Sequence, residues 1–240
     1  MLKEREKRRF ARQIMLPDIG EKGQEKIKSG KVLVVGAGGL GCPVLQYLVA
    51  AGTGTVGIVE FDQVTETNLH RQILYGHRDI GKLKSVVAKK ILAGVSDLTA
   101  IEIFNIRITT SNVVTLTDKW DIIIDATDNY ETRYVLDEAC RAAGKPLIHG
   151  AIYAYEGQVS VFNYNGGPSY RSYNPTDEAK TLNPAPSETG LFGMLPGVTG
   201  TLMAFEAIKI MTGTGDVLSG KILTFNIKTN NYYLTCLTTA

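Results

Sequence analysis

The chain has 240 residues, 44% of them hydrophobic and 21% charged, with a formal net charge of +2. That length allows one large domain with a real core or two modest ones, and the charge gives no electrostatic case for nucleic acid. Three widely spaced cysteines, Cys42, Cys140 and Cys236, argue against both a disulfide framework and a CxxC metal site. The opening MLKEREKRRFARQ is charged and lacks an apolar core, unlike a secretory signal. No uninterrupted apolar run approaches the roughly 18 residues of a membrane span. A cytoplasmic α/β protein without membrane contact is expected.

Residues 3–13 and 19–29 are charged and helix-permissive, and LPDIG separates them, with Pro17 and Gly20 as punctuation. KVLVVGA is a continuous apolar run rich in β-branched residues, as in a buried parallel strand. A helix is predicted over Gly39–Ala51, a second buried strand in GTVGIVEFD and a helix over 79–93. LTAIEIFNI alternates like a strand, WDIIIDATD is another apolar one, and 129–143 reads as a helix ending at Gly144. PLIHGAI and QVSVFNY complete the series. Beyond residue 164 the chain turns polar and rich in Pro and Gly, a texture typical of a functional or mobile loop. A buried helix from near Pro196 and a hairpin from KILTFNI and YYLTCL follow.

Strands alternating with helices at this spacing predict a Rossmann-like, doubly wound, mostly parallel sheet. An N-terminal helical segment precedes it and a C-terminal β-hairpin extends it. The simplest organisation is one domain: helices over 1–30, a nucleotide-binding core over 31–163, a loop over 164–195, and a helix with hairpin over 196–240.

Gly36, Gly38 and Gly41 form G-x-G-x-x-G between a strand and a helix. Such a turn lets phosphate approach the backbone at the positive helix N-terminus. Glu60, at the end of the second strand, can accept hydrogen bonds from ribose hydroxyls. These features suit NAD as well as ATP. The next connection places Asn68, Arg71, Gln72 and Lys84 close together after Asp62. Cations beside a phosphate turn stabilise charge on a transferring phosphoryl or nucleotidyl group, which a dehydrogenase does not need unless it binds a 2′-phosphate. Asp125 and Asp128 follow an apolar strand, where open α/β sheets bind ligands. Asp128 is favoured as a Mg²⁺ ligand beside phosphates, with capping of the next helix as its other reading. Arg12 suits the surface or a nucleotide site, in its own or in another subunit, and His70, His77 and His149 have no metal spacing.

Taken in order, RFARQIMLPDIGEKGQEKI, VLVVGAGGLGCPVLQYLVAAGTGTVGIVEFD, NLHRQILY, DIGKLKS and DATDNYETRY resemble the ThiF/MoeB/HesA family, bacterial relatives of the ubiquitin-activating enzymes. The resemblance continues through HGAIYAYEGQVSVFNY and GVTGTLMAFEAIKIMTG, nearly the whole chain. It implies an adenylyltransferase that uses ATP and Mg²⁺ to activate the C-terminal glycine of a small ubiquitin-like carrier ending in Gly-Gly. The carrier would be ThiS- or MoaD-like, in thiamine or molybdopterin synthesis. Carried over position by position, Gly36, Gly38, Gly39 and Gly41 would form the phosphate turn, with Asp62 and Gln72 beside it. Glu60 would hold the ribose, where the family commonly has Asp. Asn68, Arg71 and Lys84 would contact the triphosphate, Asp128 would bind Mg²⁺, and Arg12 would act across a homodimer interface. Other readings stay open: adenylation of another peptide C-terminus or a tRNA base, a catalytically silent scaffold, or an NAD-dependent oxidoreductase.

Two departures qualify the resemblance. Many members hold zinc with two CxxC pairs, but Ser169 and Ser172 replace the first pair here and the C-terminus has only Cys236. Hydroxyls replace zinc thiolates poorly, so no zinc is expected. The family often carries a cysteine in the crossover loop, where this chain has Pro186 followed by Ser187. Cys42 and Cys140 read as small buried hydrophobes. A separate sulfur donor is therefore expected.

Overall fold

The computed structural model describes residues 1–175 and 190–237. Eight strands form one sheet: β1 Lys31–Val35, β2 Thr55–Val59, β3 Ala100–Phe104, β4 Ile122–Asp125, β5 Leu147–Tyr153, β6 Glu156–Phe162, β7 Lys221–Asn226 and β8 Asn231–Cys236. Their order is β3-β2-β1-β4-β5-β6-β7-β8. The first five run parallel, and β6, β7 and β8 add to them antiparallel. The α/β expectation holds, and the order reverses at β1 and β4. In such sheets ligands sit beyond the strand C-termini at the reversal.

The described helices are α1 Glu4–Arg9, α2 Ala11–Ile14, α3 Gly20–Ser29, α4 Gly41–Ala51, α5 Lys84–Val95, α6 Val113–Thr117, α7 Tyr130–Ala143, α8 Tyr170–Tyr173 and α9 Met194–Thr212. The run over 3–13 is two helices broken at Phe10. The helix expected over 79–93 begins five residues later, because Gly81 is left-handed at φ +83° and a 3₁₀ turn at His77–Asp79 precedes it. The short α6 was not legible in the sequence.

Alternation along β1 explains the two-faced core. Val32 and Val34 pack with Val44, Leu45 and Leu48 of α4, Ala88 and Leu92 of α5, and Met203 and Ala207 of α9. Leu33 and Val35 face the other way, against Trp120, Leu136 and Cys140. Burial on both faces is what a continuous apolar parallel strand requires. By length and composition α9 could cross a membrane; here Met203, Ala204 and Ala207 place it in the core.

The N-terminal segment lies at the end of the sheet away from the β1/β4 reversal. Phe10 packs on Gly52, the C-cap of α4, and the Gln13 and Gln24 carboxamides both donate to the Ala51 carbonyl, at 3.2 and 2.9 Å. Eleven residues of α4 put about 16 Å between that end and the glycine turn.

Candidate active site

A cleft of about 410 Å³ opens beyond the C-termini of β1, β2 and β4, within the size range of small-ligand sites. It is lined by Gly36, Gly38 and Gly39 after β1, by Glu60 and Asp62 after β2, by Arg71, Gln72 and Lys84 from the following connection, and by Asp128 after β4. Three sequence candidates do not line it within one chain. Gly41 underlies the turn, because a Cβ there would stand 2.0 Å from the Gly36 carbonyl oxygen. Asn68 contributes its main chain: its carbonyl accepts the Arg71 and Gln72 amides at 3.1 and 2.9 Å, closing the turn that presents them. Arg12 is exposed on α2, beside Phe10 and Gln13 at the far end of the sheet.

The glycine turn is shaped by contact with the β4 loop. Gly36 is left-handed at φ +96°, and a Cβ there would lie 2.7 Å from the Ala126 carbonyl oxygen. At Gly38 an added Cβ would meet only the Gln72 carboxamide, at 3.5 Å. The turn is thus tight at Gly36 and Gly41 and open at Gly38, where a ligand has room to approach. Glu60 braces it from β2. One carboxylate oxygen accepts the Ala37 amide at 3.0 Å, and the other accepts the Phe61 and Asp62 amides at 2.8 and 2.9 Å. The oxygen on Ala37 keeps a free lone pair, so binding a ribose hydroxyl and bracing the turn are compatible.

The cations are held differently. Lys84 is buried at the first position of α5, and its ammonium lies 3.3 Å from the half-exposed Asp62 carboxylate. Arg71 donates to the Thr67 carbonyl at 2.9 Å and to Nε2 of His70 at 2.8 Å, so a histidine without metal spacing acts as its rest. Gln72 is buried, and its carboxamide oxygen has no hydrogen-bond partner among the described residues. That oxygen is itself buried, and the end of the carboxamide nearest the open side of the turn is Nε2, a donor, 3.5 Å from where a Gly38 Cβ would stand.

Asp128 is exposed on the cleft wall, and its carboxylate has no hydrogen bond or ion pair among the described residues. Its capping role is taken by Asn129, whose side chain accepts the Thr132 amide at 2.9 Å. Asp125 is fully buried instead, 2.7 Å from Nδ1 of His149. Burial opposes its charge, but the His149 hydrogen bond, the Arg133 charge and Thr127 outweigh that and hold the carboxyl below its ordinary value. Burial, aided by Arg133, outweighs the pull of Asp125 and lowers His149. Of the two carboxylates, Asp128 is the one free for a cation. No cluster of three metal-ligating side chains stands among the described residues; a single carboxylate suits Mg²⁺ that arrives with phosphate oxygens.

Sequence reasoning missed Phe61, Arg107, Arg133 and Thr127. The Arg107 guanidinium lies 4.5 Å from the Phe61 ring centre at the mouth of the cleft. Arg107 follows β3 closely, so extending the rule of strand C-termini to that strand would have found it. Ser169 caps α8 and Ser172 donates to its carbonyl at 2.7 Å. Cys42 and Cys140 are buried, which pushes both thiols up to about 12. Pro186 and Ser187 lie outside the described residues.

The model of the ThiF family matches residues 10–239. A sulfur carrier protein adenylyltransferase from Thermus thermophilus is 46% identical over 91% of this chain and 82% of its own. A probable molybdopterin-synthase adenylyltransferase from Porphyra purpurea is 45% identical, over 93% of this chain and 59% of its own. The probable adenylyltransferase/sulfurtransferase MoeZ of Mycobacterium tuberculosis is 40% identical, over 93% and 58%. The chain thus spans less than two thirds of these last two proteins. Among solved structures, PaaA superposes with a TM-score of 0.84 at 21% identity, over all of this chain and 76% of its own. Escherichia coli MccB with ATP gives 0.78 at 22%, over 92% and 67%. At those identities the two structures show the shared fold.

Proposed function

The chain belongs to the ThiF family and is an adenylyltransferase, and we propose that it activates the C-terminal glycine carboxylate of a small ubiquitin-like sulfur carrier. The reaction is attack of that carboxylate on the α-phosphorus of ATP, giving an acyl-adenylate and pyrophosphate. One observation carries the reading: an open glycine turn, two cations and a free carboxylate, far apart in sequence, line one cleft. The names of the relatives support the choice of a sulfur carrier.

The attacking carboxylate is itself the nucleophile, so the protein has to position reactants and neutralise charge. Gly38 leaves the backbone open to phosphate ahead of α4, while Gly39 lets the turn pass close to Pro196 and Arg71. Lys84 and Arg71 lower the repulsion between two anionic substrates and meet the charge that builds as pyrophosphate leaves. Asp128 would hold Mg²⁺, which supplies charge neutralisation on the phosphates. Glu60 offers an acceptor for hydroxyls of the nucleoside, and Gln72 a donor beside Gly38. Arg12 is too far from its own cleft, so we assign it to the cleft of a partner subunit in a homodimer. Cys42 and Cys140 are buried thiols and the exposed Cys236 lies on the edge strand β8, five strands from β1, so we assign the reaction to stop at the adenylate, with a separate donor delivering sulfur. We assign the chain to the cytoplasm and to thiamine or molybdopterin synthesis, the pathway being supported by the relatives' names alone.

ATP–pyrophosphate exchange tests this reading. Exchange is expected only with a carrier that ends in Gly-Gly, and deleting its last glycine should abolish it. Tight ATP binding without exchange, across thiamine-type and molybdopterin-type carriers, would contradict it. A reducible covalent conjugate between enzyme and carrier would overturn the separate donor.

A further inference from the structure

Among the described residues Asp128 has no bond that fixes its carboxylate, yet a metal ligand has to be presented in one direction. The residue before it is fixed completely. All three polar atoms of Thr127 are bonded: its amide and hydroxyl donate to one Asp125 oxygen at 3.1 and 2.6 Å, and its carbonyl accepts from the Arg133 guanidinium at 3.0 Å. The second Asp125 oxygen takes the His149 Nδ1–H at 2.7 Å and faces Arg133 Nε at 3.7 Å. Upstream, the Ala126 amide donates to the Val35 carbonyl at 2.9 Å.

The partners come from separate elements. Asp125 and His149 are register partners on β4 and β5, and Arg133 lies in the first turn of α7 after its Asn129 cap. The rings of Tyr170 and Phe162, with centres 4.8 and 5.9 Å from that of His149, hold the imidazole in place. Asp125, Arg133 and His149 are all buried. Arg133 Nε makes only the 3.7 Å ion pair with Asp125 and no hydrogen bond among the described residues, while both Asp125 oxygens and the Thr127 carbonyl are bonded and hold Thr127 in place. None of the three donates to or accepts from Asp128.

We propose that Asp125, His149 and Arg133 form a positioning network that fixes Thr127 and so sets the direction in which Asp128 presents its carboxylate to the divalent cation. The inference rests on the assignment of Asp128 as the Mg²⁺ ligand. Outer partners of this kind tune metal affinity by about tenfold to a hundredfold without touching the metal. Removing any one of them lets the Thr127 peptide rotate, and Asp128 then loses its aim while the glycine turn keeps its shape.

The test is calorimetric binding of ATP in EDTA and of ATP with Mg²⁺, where the ratio of the two affinities is the gain from the metal. Asp128→Ala should bring that ratio close to one; an unchanged ratio there would overturn the assignment of Asp128 itself. Arg133→Met and His149→Leu should cut the ratio by about tenfold or more, and in His149→Leu, whose residue lies outside the cleft lining, metal-free ATP affinity should stay within about twofold. His149→Asn, which places an amide donor near the position of Nδ1, should restore it. If Asp128→Ala collapses the ratio but the Arg133 and His149 variants keep it, the network has no positioning role. Equal loss of metal-free ATP affinity in His149→Leu would also overturn the proposal, since it signals general damage to the cleft. Should either variant fail to fold, Thr127→Val removes a single hydroxyl bond and decides on the same ratio: a drop supports the proposal and no change overturns it.

Discussion

Asp128 faces the cleft because its neighbour Asn129 caps α7: the Asn129 carboxamide oxygen accepts the Thr132 amide at 2.9 Å. The two residues divide work that the sequence had left to one. Asp128→Ala should therefore keep the wild-type melting temperature while adenylation falls by about a hundredfold or more, the scale of losing one aimed electrostatic contact. Asn129→Ala should do the reverse to stability, costing about 1 kcal/mol and lowering the melting temperature by about 2–4 °C. Thermal scans and pyrophosphate exchange on both variants check the division.

The glycines of the turn should separate in the same way. At Gly38 an added methyl makes ordinary contact, 3.5 Å from Gln72, so Gly38→Ala should fold normally and lose ATP affinity by filling the open side of the turn. At Gly41 the methyl would collide with the Gly36 carbonyl oxygen at 2.0 Å, so Gly41→Ala should lower the melting temperature as well. Calorimetry with ATP and a thermal scan distinguish the two.

Acid should destabilise the fold through the buried pair. His149 is held below its ordinary value of 6.5 in the folded chain and returns to it on unfolding. Between those values the unfolded chain binds the proton and the folded one does not, so stability rises with pH there. The contribution is complete above the unfolded value and is lost as pH falls through it towards the folded one. Asp125, also held low, adds a second loss below its ordinary 3.8. Denaturation at pH 7.5 and pH 5.5 should show a drop in wild type that is smaller in His149→Asn, which has no proton to gain.

How much of this was legible follows the range of each interaction. The phosphate turn is local, so Gly36, Gly38 and Gly41 announce it in six residues. Lys84 and Arg71 could be read because they fall in one short connection between strands. The pairing of Asp125 with His149 could not, since it depends on β4 and β5 lying in register across 24 residues. Arg133 was hidden for a related reason: only the capping of α7 at Asn129 fixes which side of the helix turns inward. Helix starts moved where a left-handed glycine such as Gly81 outweighed apolar periodicity.

Arg12 gives a test of assembly. Mixed with Asp128→Ala subunits, Arg12→Ala subunits should recover up to about a quarter of wild-type exchange in random dimers, because one mixed cleft carries neither defect. Wild-type exchange by Arg12→Ala alone would place Arg12 outside the reaction, and an inactive Arg12→Ala without recovery after verified subunit mixing would contradict its action across the interface.

The central claim is that a carrier's terminal glycine receives the adenylate. Intact-mass measurement of a ubiquitin-like protein ending in Gly-Gly, after incubation with enzyme, ATP, Mg²⁺ and pyrophosphatase, tests it most directly. The account predicts a gain of one adenylyl group, released by hydroxylamine and absent with Asp128→Ala enzyme. A carrier of unchanged mass, while the enzyme converts ATP to AMP on some other acceptor, would contradict it.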